Sequence, residues 1–474
     1  MFDQSFSSEN YLMIFNEENR KGHIAFDAMP ETYRRIVMEM KTLKDKANDI
    51  TKKKKTDRTT DELGELENIR IEIKDKQNKR DEELIAELNR YAEVANVKDF
   101  TFPMSNYVKD DKQIFTIDTT MWVNFYAIKN LQRSLRGLFD VKQANKHQIM
   151  SNVRLLLNTS RPLFIIRTDI SGFYESIPQV PLLKKVDDNN LVNNKTKGMI
   201  HGILKEYNDQ KDSTKIKADC GVPRGIGISS YLSEIYMHDI DEQIKNREEV
   251  IFYVRYVDDI FMILVGLPDK KTILQYYKDL KTLFLKYGLA LKNNDSTEKK
   301  CKLINFYSST ADQEVTYLGY KIFMKKQPMK ELVSTFKMSD DKFDRITKKI
   351  DAAFNHFEKV SMFDIKRAEK DLIDSLNLIS GNYRLTKSKA MVKAGLYYGS
   401  DLLTDFEDLE NLTGYLRTKS ITPYSEVLKG TSDRTKYINR IEGKVQSIDF
   451  KRRWQERIMF KFNSKRLKEI SNWL

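Results

Sequence analysis

Residues 249–265 read EVIFYVRYVDDIFMILV. Apolar, β-branched and aromatic residues flank a pair of aspartates, so the stretch predicts two buried strands joined at Tyr256-Val257-Asp258-Asp259. At least one carboxylate then sits on the turn. An Asp-Asp turn between hairpin strands is common and needs no function. Adjacent buried carboxylates also repel, and a divalent cation is the simplest relief. At average residue usage this four-residue string arises in roughly one such chain in a few hundred.

Upstream, PLFIIRTDI (162–170) predicts another buried strand, with Asp169 at its end and Ile170-Ser171-Gly172-Phe173-Tyr174 following. Alone, Asp169 reads equally as a strand-end cap. Laid beside the Asp258-Asp259 hairpin in one sheet, it completes an oxygen-rich pocket suited to two Mg²⁺ ions, with Mn²⁺ as the alternative ion. Between the acidic elements, Gly221-Val222-Pro223-Arg224-Gly225-Ile226-Gly227 leads into a helix that starts near Tyr231. Glycines there permit close backbone approach, and Arg224 can lie against a base pair or a phosphate. EVTYLGYKIFM (314–324) predicts a further strand, while 181–209 and 229–244 have helical spacing. Strands separated by helices predict an α+β sheet with helices on one face.

The whole chain has 474 residues, 40% of them hydrophobic, enough for a substantial core and too long for one ordinary domain. Its 82 Lys and Arg exceed 69 Asp and Glu by 13, a field suited to a polyanion. Cys220 and Cys301 alone build neither a disulfide framework nor a Cys-rich zinc site, which points to a reducing compartment. The start MFDQSFSSEN lacks signal-peptide character, and IFMILVGL (260–267) is too short to span a bilayer. A cytoplasmic protein with no membrane partner is expected.

Residues 41–90 hold 27 charged side chains and no proline. Leu66, Ile69 and Ile73, then Leu84, Leu88 and Tyr91, recur at helical spacing. These helices read either as a solvated hairpin or as an arm for RNA or another subunit. After about 336 strand signals nearly vanish and helical periods take over. Residues 413–474 carry 15 Lys/Arg against 6 Asp/Glu, suited either to phosphate contact or to a solvated surface.

RTDISGFYESI (167–177), GVPRGIGISSYLSEIY (221–236), YVRYVDDI (253–260) and YLGYKI (317–322) resemble, in order and spacing, the palm motifs of reverse transcriptases over roughly residues 130–330. With FDVKQANKHQI (139–149), GNYRL (381–385) and GLYYG (395–399), the wording is most similar to bacterial abortive-infection or defence-associated (unknown-group) reverse transcriptases. The resemblance implies a right-hand polymerase fold of fingers, palm and thumb. A charged helical extension would fill 1–115, fingers and palm 116–335, and a helical thumb with a basic C-terminal region 336–474.

By the same resemblance Asp169, Asp258 and Asp259 are the catalytic, metal-binding aspartates, with the Ile170 carbonyl as a further ligand. Tyr174 lies under the incoming sugar, and Lys142 and Lys146 hold the triphosphate. Arg224 and Gly225 belong to the nucleotide site, and Tyr317-Leu318-Gly319-Tyr320 grip the primer. Two departures stand out. Arg224 occupies the place of a retroviral glutamine, and Ser296 the place of the lysine that would protonate pyrophosphate, unless Lys292 or Lys299 substitutes.

The implied function is RNA-directed addition of deoxynucleotides to a 3′-hydroxyl in antiviral defence. Expected partners are an RNA template such as a structured non-coding RNA, dNTPs, the DNA product, and a second copy or partner protein at the N-terminal helices. Template-independent or protein-primed synthesis uses the same residues. Remoter readings are a two-metal nuclease and a catalytically idle RNA-binding scaffold.

Overall fold

The computed structural model describes residues 3–141, 145–158, 163–266, 270–294, 300–306, 312–325, 333–384, 392–419 and 432–474. They form two units, Met1–Lys142 with Gly172–His238, and Gln143–Ser171 with Asp239–Leu474.

In the first unit, α1 (Ser8–Lys21) precedes α2 (Glu31–Thr51) and α3 (Thr60–Asn96). A capping box starts α3: the Thr59 hydroxyl accepts from the Glu62 N–H, and the Glu62 carboxylate accepts from the Thr59 N–H. Leu66, Ile69, Leu84 and Leu88 are buried as their spacing requires, and Lys76 reaches Glu39 across the α2–α3 pair at 2.8 Å. Strand β1 (Met104–Lys109) pairs antiparallel with β2 (Lys112–Ile117), so sheet begins inside the stretch expected to be helical. Its turn is Asp110-Asp111, both at positive φ, a conformation that aspartate tolerates. Helix α4 (Trp122–Leu138) follows. The chain passes into the second unit through α5 (Lys146–Leu157) and β3 (Phe164–Ser171), then returns with α6 (Phe173–Ser176), α7 (Gln179–Asp187) and α8 (Asn194–Gln210). The Tyr126 ring stacks between Tyr11 and Tyr91, tying α1, α3 and α4 together.

Glu18 on α1 is 3% exposed and meets Lys21 at 2.8 Å, His23 at 2.7 Å and Lys129 at 3.0 Å. Burial pushes its carboxyl up, but these three bonds outweigh burial and hold it down to about 2. Ionised Glu18 therefore stabilises the fold above its ordinary range, and that contribution fades as pH falls from about 4.5 towards 2. Acid unfolding of Glu18→Gln, followed by circular dichroism, is expected to lose at most roughly 3 kcal/mol of this pH dependence.

Helix α9 (Ser229–Lys245) leads to the second unit's main sheet. There β4 (Val250–Tyr256) and β5 (Asp259–Leu264) form a hairpin, and β5 also pairs with β3, in the order β4-β5-β3-β6. Helix α10 (Lys270–Lys286) precedes the short β6 (Ala290–Leu291), and β7 (Lys302–Asn305) also pairs with β3. β3 and β5 are buried along nearly their whole length, which explains their unbroken apolar sequence.

The stretch expected to be one strand at 314–324 is two, β8 (Gln313–Tyr317) and β9 (Tyr320–Lys325), reversed at Leu318-Gly319 and extended by β10 (Val333–Met338). Helices α11 (Asp340–Ser361) and α12 (Ile365–Ser380) pack as a pair. The expected all-helical last third also contains β11 (Asn382–Arg384), β12 (Lys393–Gly395) and β13 (Met459–Phe460). Strands of two or three residues are too short to show a period of two. The remaining helices are α13 (Glu407–Arg417), α14 (Ser432–Gln446), α15 (Phe450–Gln455) and α16 (Ser464–Ser471). One apolar core runs from α5 through β3, β5 and β7–β10 to α15. Among the described residues no helix is long and apolar enough to cross a membrane.

Candidate active site

In the second unit, Asp169 on β3 stands directly opposite Asp259 on β5, which places their Cβ atoms about 5 Å apart. The Ile170 N–H donates to the Asp258 carbonyl at 2.9 Å, lacing the hairpin tip to the end of β3. All three predicted aspartates thus converge, with Ile170 beside them. Burial raises the Asp169 carboxyl, and the Asp258 charge raises it further, against Lys300 and Arg167. Burial likewise pushes Asp259 up to about 6 despite Arg167, with Asp169 and Asp258 adding to the rise.

The donor chemistry suits a divalent cation. Asp259 Oδ1 is buried without a hydrogen bond, and like charges crowd there. Among the described residues no group of three or more His, Cys, Asp or Glu is arranged to hold a metal ion by itself. An open carboxylate set of this kind leaves coordination positions of a divalent cation to water and substrate phosphates.

Two cations already touch these carboxylates, and sequence reasoning missed both. Lys300 Nζ lies 3.4 Å from Asp169 Oδ2, and Arg167 Nη2 lies 3.1 Å from Asp259 Oδ2. Arg167 precedes Asp169 by two positions on one strand and so shares its face, a signal that was present. Ser296, Lys299 and Lys142 lie outside the described residues, and Lys292 donates its backbone N–H to the Asp169 carbonyl at 3.0 Å.

Tyr256 pairs with Asp259, so only Val257 and Asp258 form the hairpin turn. Val257 has φ +61°, an uncommon conformation for a β-branched residue, at a cost of about 1–3 kcal/mol. Arg255 supports the turn by donating from Nη1 to the Val257 carbonyl at 2.8 Å. Its Nε and Nη2 engage Asp241 on α9, which also accepts from the Tyr253 hydroxyl at 2.6 Å. Arg255→Met leaves Asp241 without its cation. It is expected to cost about 3–5 kcal/mol in denaturant unfolding, partly recovered by adding Asp241→Asn.

Leu318 and Gly319 both have positive φ, the two-residue hairpin geometry that orients the expected primer grip. The Tyr317 hydroxyl donates to the Asp259 carbonyl at 3.3 Å, and Tyr320 is buried beside Phe336. Lys146, expected on the triphosphate, packs here at the start of α5: a Cβ on Gly319 would lie 3.4 Å from its Nζ. Burial and the Arg345 charge lower its pKa. Burial, with Lys146 and Arg345 adding, pushes Lys342 down to about 8. Such crowding of cations suits an anion. Lys342→Met is expected to flatten the salt dependence of nucleic-acid binding by about one phosphate contact, measured by fluorescence anisotropy.

In the first unit, Arg224 makes a two-pronged pair with Glu175 at 2.8 and 3.0 Å, and its guanidinium lies 4.9 Å over the Tyr174 ring. Glu175 was another residue missed. The Val222 N–H donates to the Tyr174 carbonyl, and Phe115 N–H to the Arg224 carbonyl. Gly225 has φ +104°, and a Cβ there would lie 2.6 Å from the Phe115 carbonyl oxygen, so this position needs glycine. A cavity of about 350 Å³ lies beside the loop, lined in part by Phe115, Tyr207, Ile216, Glu175 and Arg224.

Much of the C-terminal positive charge is used internally. Arg440 and Lys444 bind Glu369, Lys451 binds Glu410, Arg452 binds Glu456, and Arg466 binds Asp371 and Asp374. Arg453 is bonded to Ser380 and lies over Phe460, while Arg457 stacks 4.4 Å from Tyr397.

Carboxylates at a buried strand end and an adjoining hairpin tip are the layout of a polymerase palm. Residues 114–322 match the reverse transcriptase (RNA-dependent DNA polymerase) family. Residues 114–322, a little under half of the chain, thus resemble a reverse transcriptase domain, and the mixed helix and strand fold is that of a right-hand polymerase. No curated protein matches the sequence. Among solved structures, apo telomerase from Candida tropicalis truncated from its C-terminal domain is 18% identical, with 47% of this chain and 53% of that chain covered and a TM-score of 0.34. This chain thus spans about half of that protein's length. Apo telomerase from Candida tropicalis is 14% identical over 72% and 69% of the chains at a TM-score of 0.37. An RdRp complex is 10% identical over 62% and 28% at 0.30.

Proposed function

We propose that the protein extends a 3′-hydroxyl with deoxynucleotides along an RNA template, using Asp169, Asp258, Asp259 and the Ile170 carbonyl to hold two Mg²⁺ ions. The supporting observation is the register that sets Asp169 opposite Asp259, with Asp258 on the adjoining turn. Metal ions held by these residues would supply activation of the hydroxyl and neutralisation of the triphosphate. The protein's own work is positioning: Arg255 and Asp241 hold the carboxylate turn, and Tyr317 ties the Leu318-Gly319 turn to β5. Lys146, Lys342 and Arg345 are a cation group for a phosphate at that turn, and Lys142 is assigned to the triphosphate by resemblance. Tyr174 supports the incoming sugar, held by Arg224 and Glu175.

The setting we favour is bacterial antiviral defence with a structured non-coding RNA as template, resting on the wording of residues 139–149, 381–385 and 395–399. The test is incorporation of labelled dNTPs by purified protein on a primed RNA, beside sequencing of co-purifying nucleic acid. A product formed without any template would favour template-independent or protein-primed synthesis.

A further inference from the structure

We infer that Arg167 is a positioning residue of the carboxylate site. Its guanidinium fixes the orientation of Asp259 and offsets one unit of the negative charge gathered there. This rests on the polymerase reading above.

Arg167 pairs across the sheet with Phe261, two places from the Asp169–Asp259 pair, so its long side chain crosses diagonally to Asp259. It is 7% exposed, and Nη1 donates to the Lys300 carbonyl at 2.5 Å while Nη2 donates to Asp259 Oδ2 at 3.1 Å. The guanidinium is therefore anchored at both ends. Asp259 Oδ1 lies 3.0 Å from the same nitrogen without hydrogen-bond alignment and is left as the acceptor on the free side. Lys300 differs. Its side chain is 61% exposed and 3.4 Å from Asp169, a cation able to leave when another arrives. A planar fork suits the fixed role, and lysine reproduces its charge but not its two-ended grip.

The experiment uses the full chain without nucleic acid and measures Mg²⁺ by displacement of bound Tb³⁺ luminescence, beside dNTP incorporation and thermal melting. In Arg167→Met, losing a fixed positive charge is expected to tighten Mg²⁺ about threefold or more. Mispositioning of Asp259 is expected to cut incorporation about tenfold. Arg167→Lys should keep wild-type Mg²⁺ affinity and recover part of the incorporation. A purely structural role would instead lower melting temperature, metal affinity and activity together.

Unchanged or weaker Mg²⁺ binding in a folded Arg167→Met chain overturns the inference. If that variant does not fold, Arg167→Lys decides: Mg²⁺ affinity should stay near wild type while incorporation falls, and unchanged incorporation overturns the inference. Unchanged binding in Asp169→Asn overturns the metal reading of the whole site, so the two failures are distinguishable.

Discussion

Asp258→Asn is expected to lower templated deoxynucleotide incorporation by about a thousandfold while the chain keeps its melting temperature. The side chain sits half-buried on a two-residue turn, and its charge helps to raise Asp169, so removing it relieves repulsion in the folded protein. An amide of the same shape leaves the strands alone and changes only the charge and ligand strength. Incorporation of labelled dNTPs with Mg²⁺ on a primed RNA, at matched thermal stability, is the measurement. Equal incorporation would remove the polymerase assignment from these aspartates.

The second large effect is expected at Tyr174, where replacement by Val should raise ribonucleotide use relative to deoxynucleotide use by about tenfold or more. A ring that discriminates one hydroxyl must not yield, and this one is backed by the Arg224 guanidinium at 4.9 Å, itself clamped by Glu175. The neighbouring Phe173 is the fully buried member of the pair, leaving Tyr174 half-buried. Loss of a mere packing residue would slow both substrates equally. The ratio of the two kcat/KM values therefore decides, and an unchanged ratio returns Tyr174 to packing.

The palm was legible in the sequence because β3 and β5 are buried along nearly their whole length and interrupted by charge only at Arg167, Asp169 and Asp259. The long α3 was legible for the opposite reason, a sparse stripe of Leu66, Ile69, Leu84 and Leu88 in a charged background. Asp110-Asp111 shows where pattern alone stops: the same dipeptide there makes an exposed turn, whereas Asp258-Asp259 straddles a turn and a buried strand. Ion pairs were the least legible layer. Arg255 meets Asp241 fourteen positions away, Arg167 meets Asp259 ninety-two away, and the C-terminal cations meet acids from α12 and α13. Such partners are chosen by the tertiary fold, so a count of excess positive charge overstated what was free for phosphate.

The two-residue link between β4 and β5 also bears on how this segment can change over evolutionary time. Tyr256 and Asp259 close the ladder on either side of Val257-Asp258, and β5 then buries Ile260 through Leu264. Because a strand alternates its faces, one inserted or deleted residue in that link would shift the β4–β5 register and misplace Arg255, which braces the turn at the Val257 carbonyl, against the carboxylates. The same slip would exchange the partners of Phe261 and Ile263 within the apolar core. Substitutions can be absorbed one at a time, but a change of length would strike chemistry and stability together, so divergent descendants should vary in the letters of this hairpin and keep its spacing.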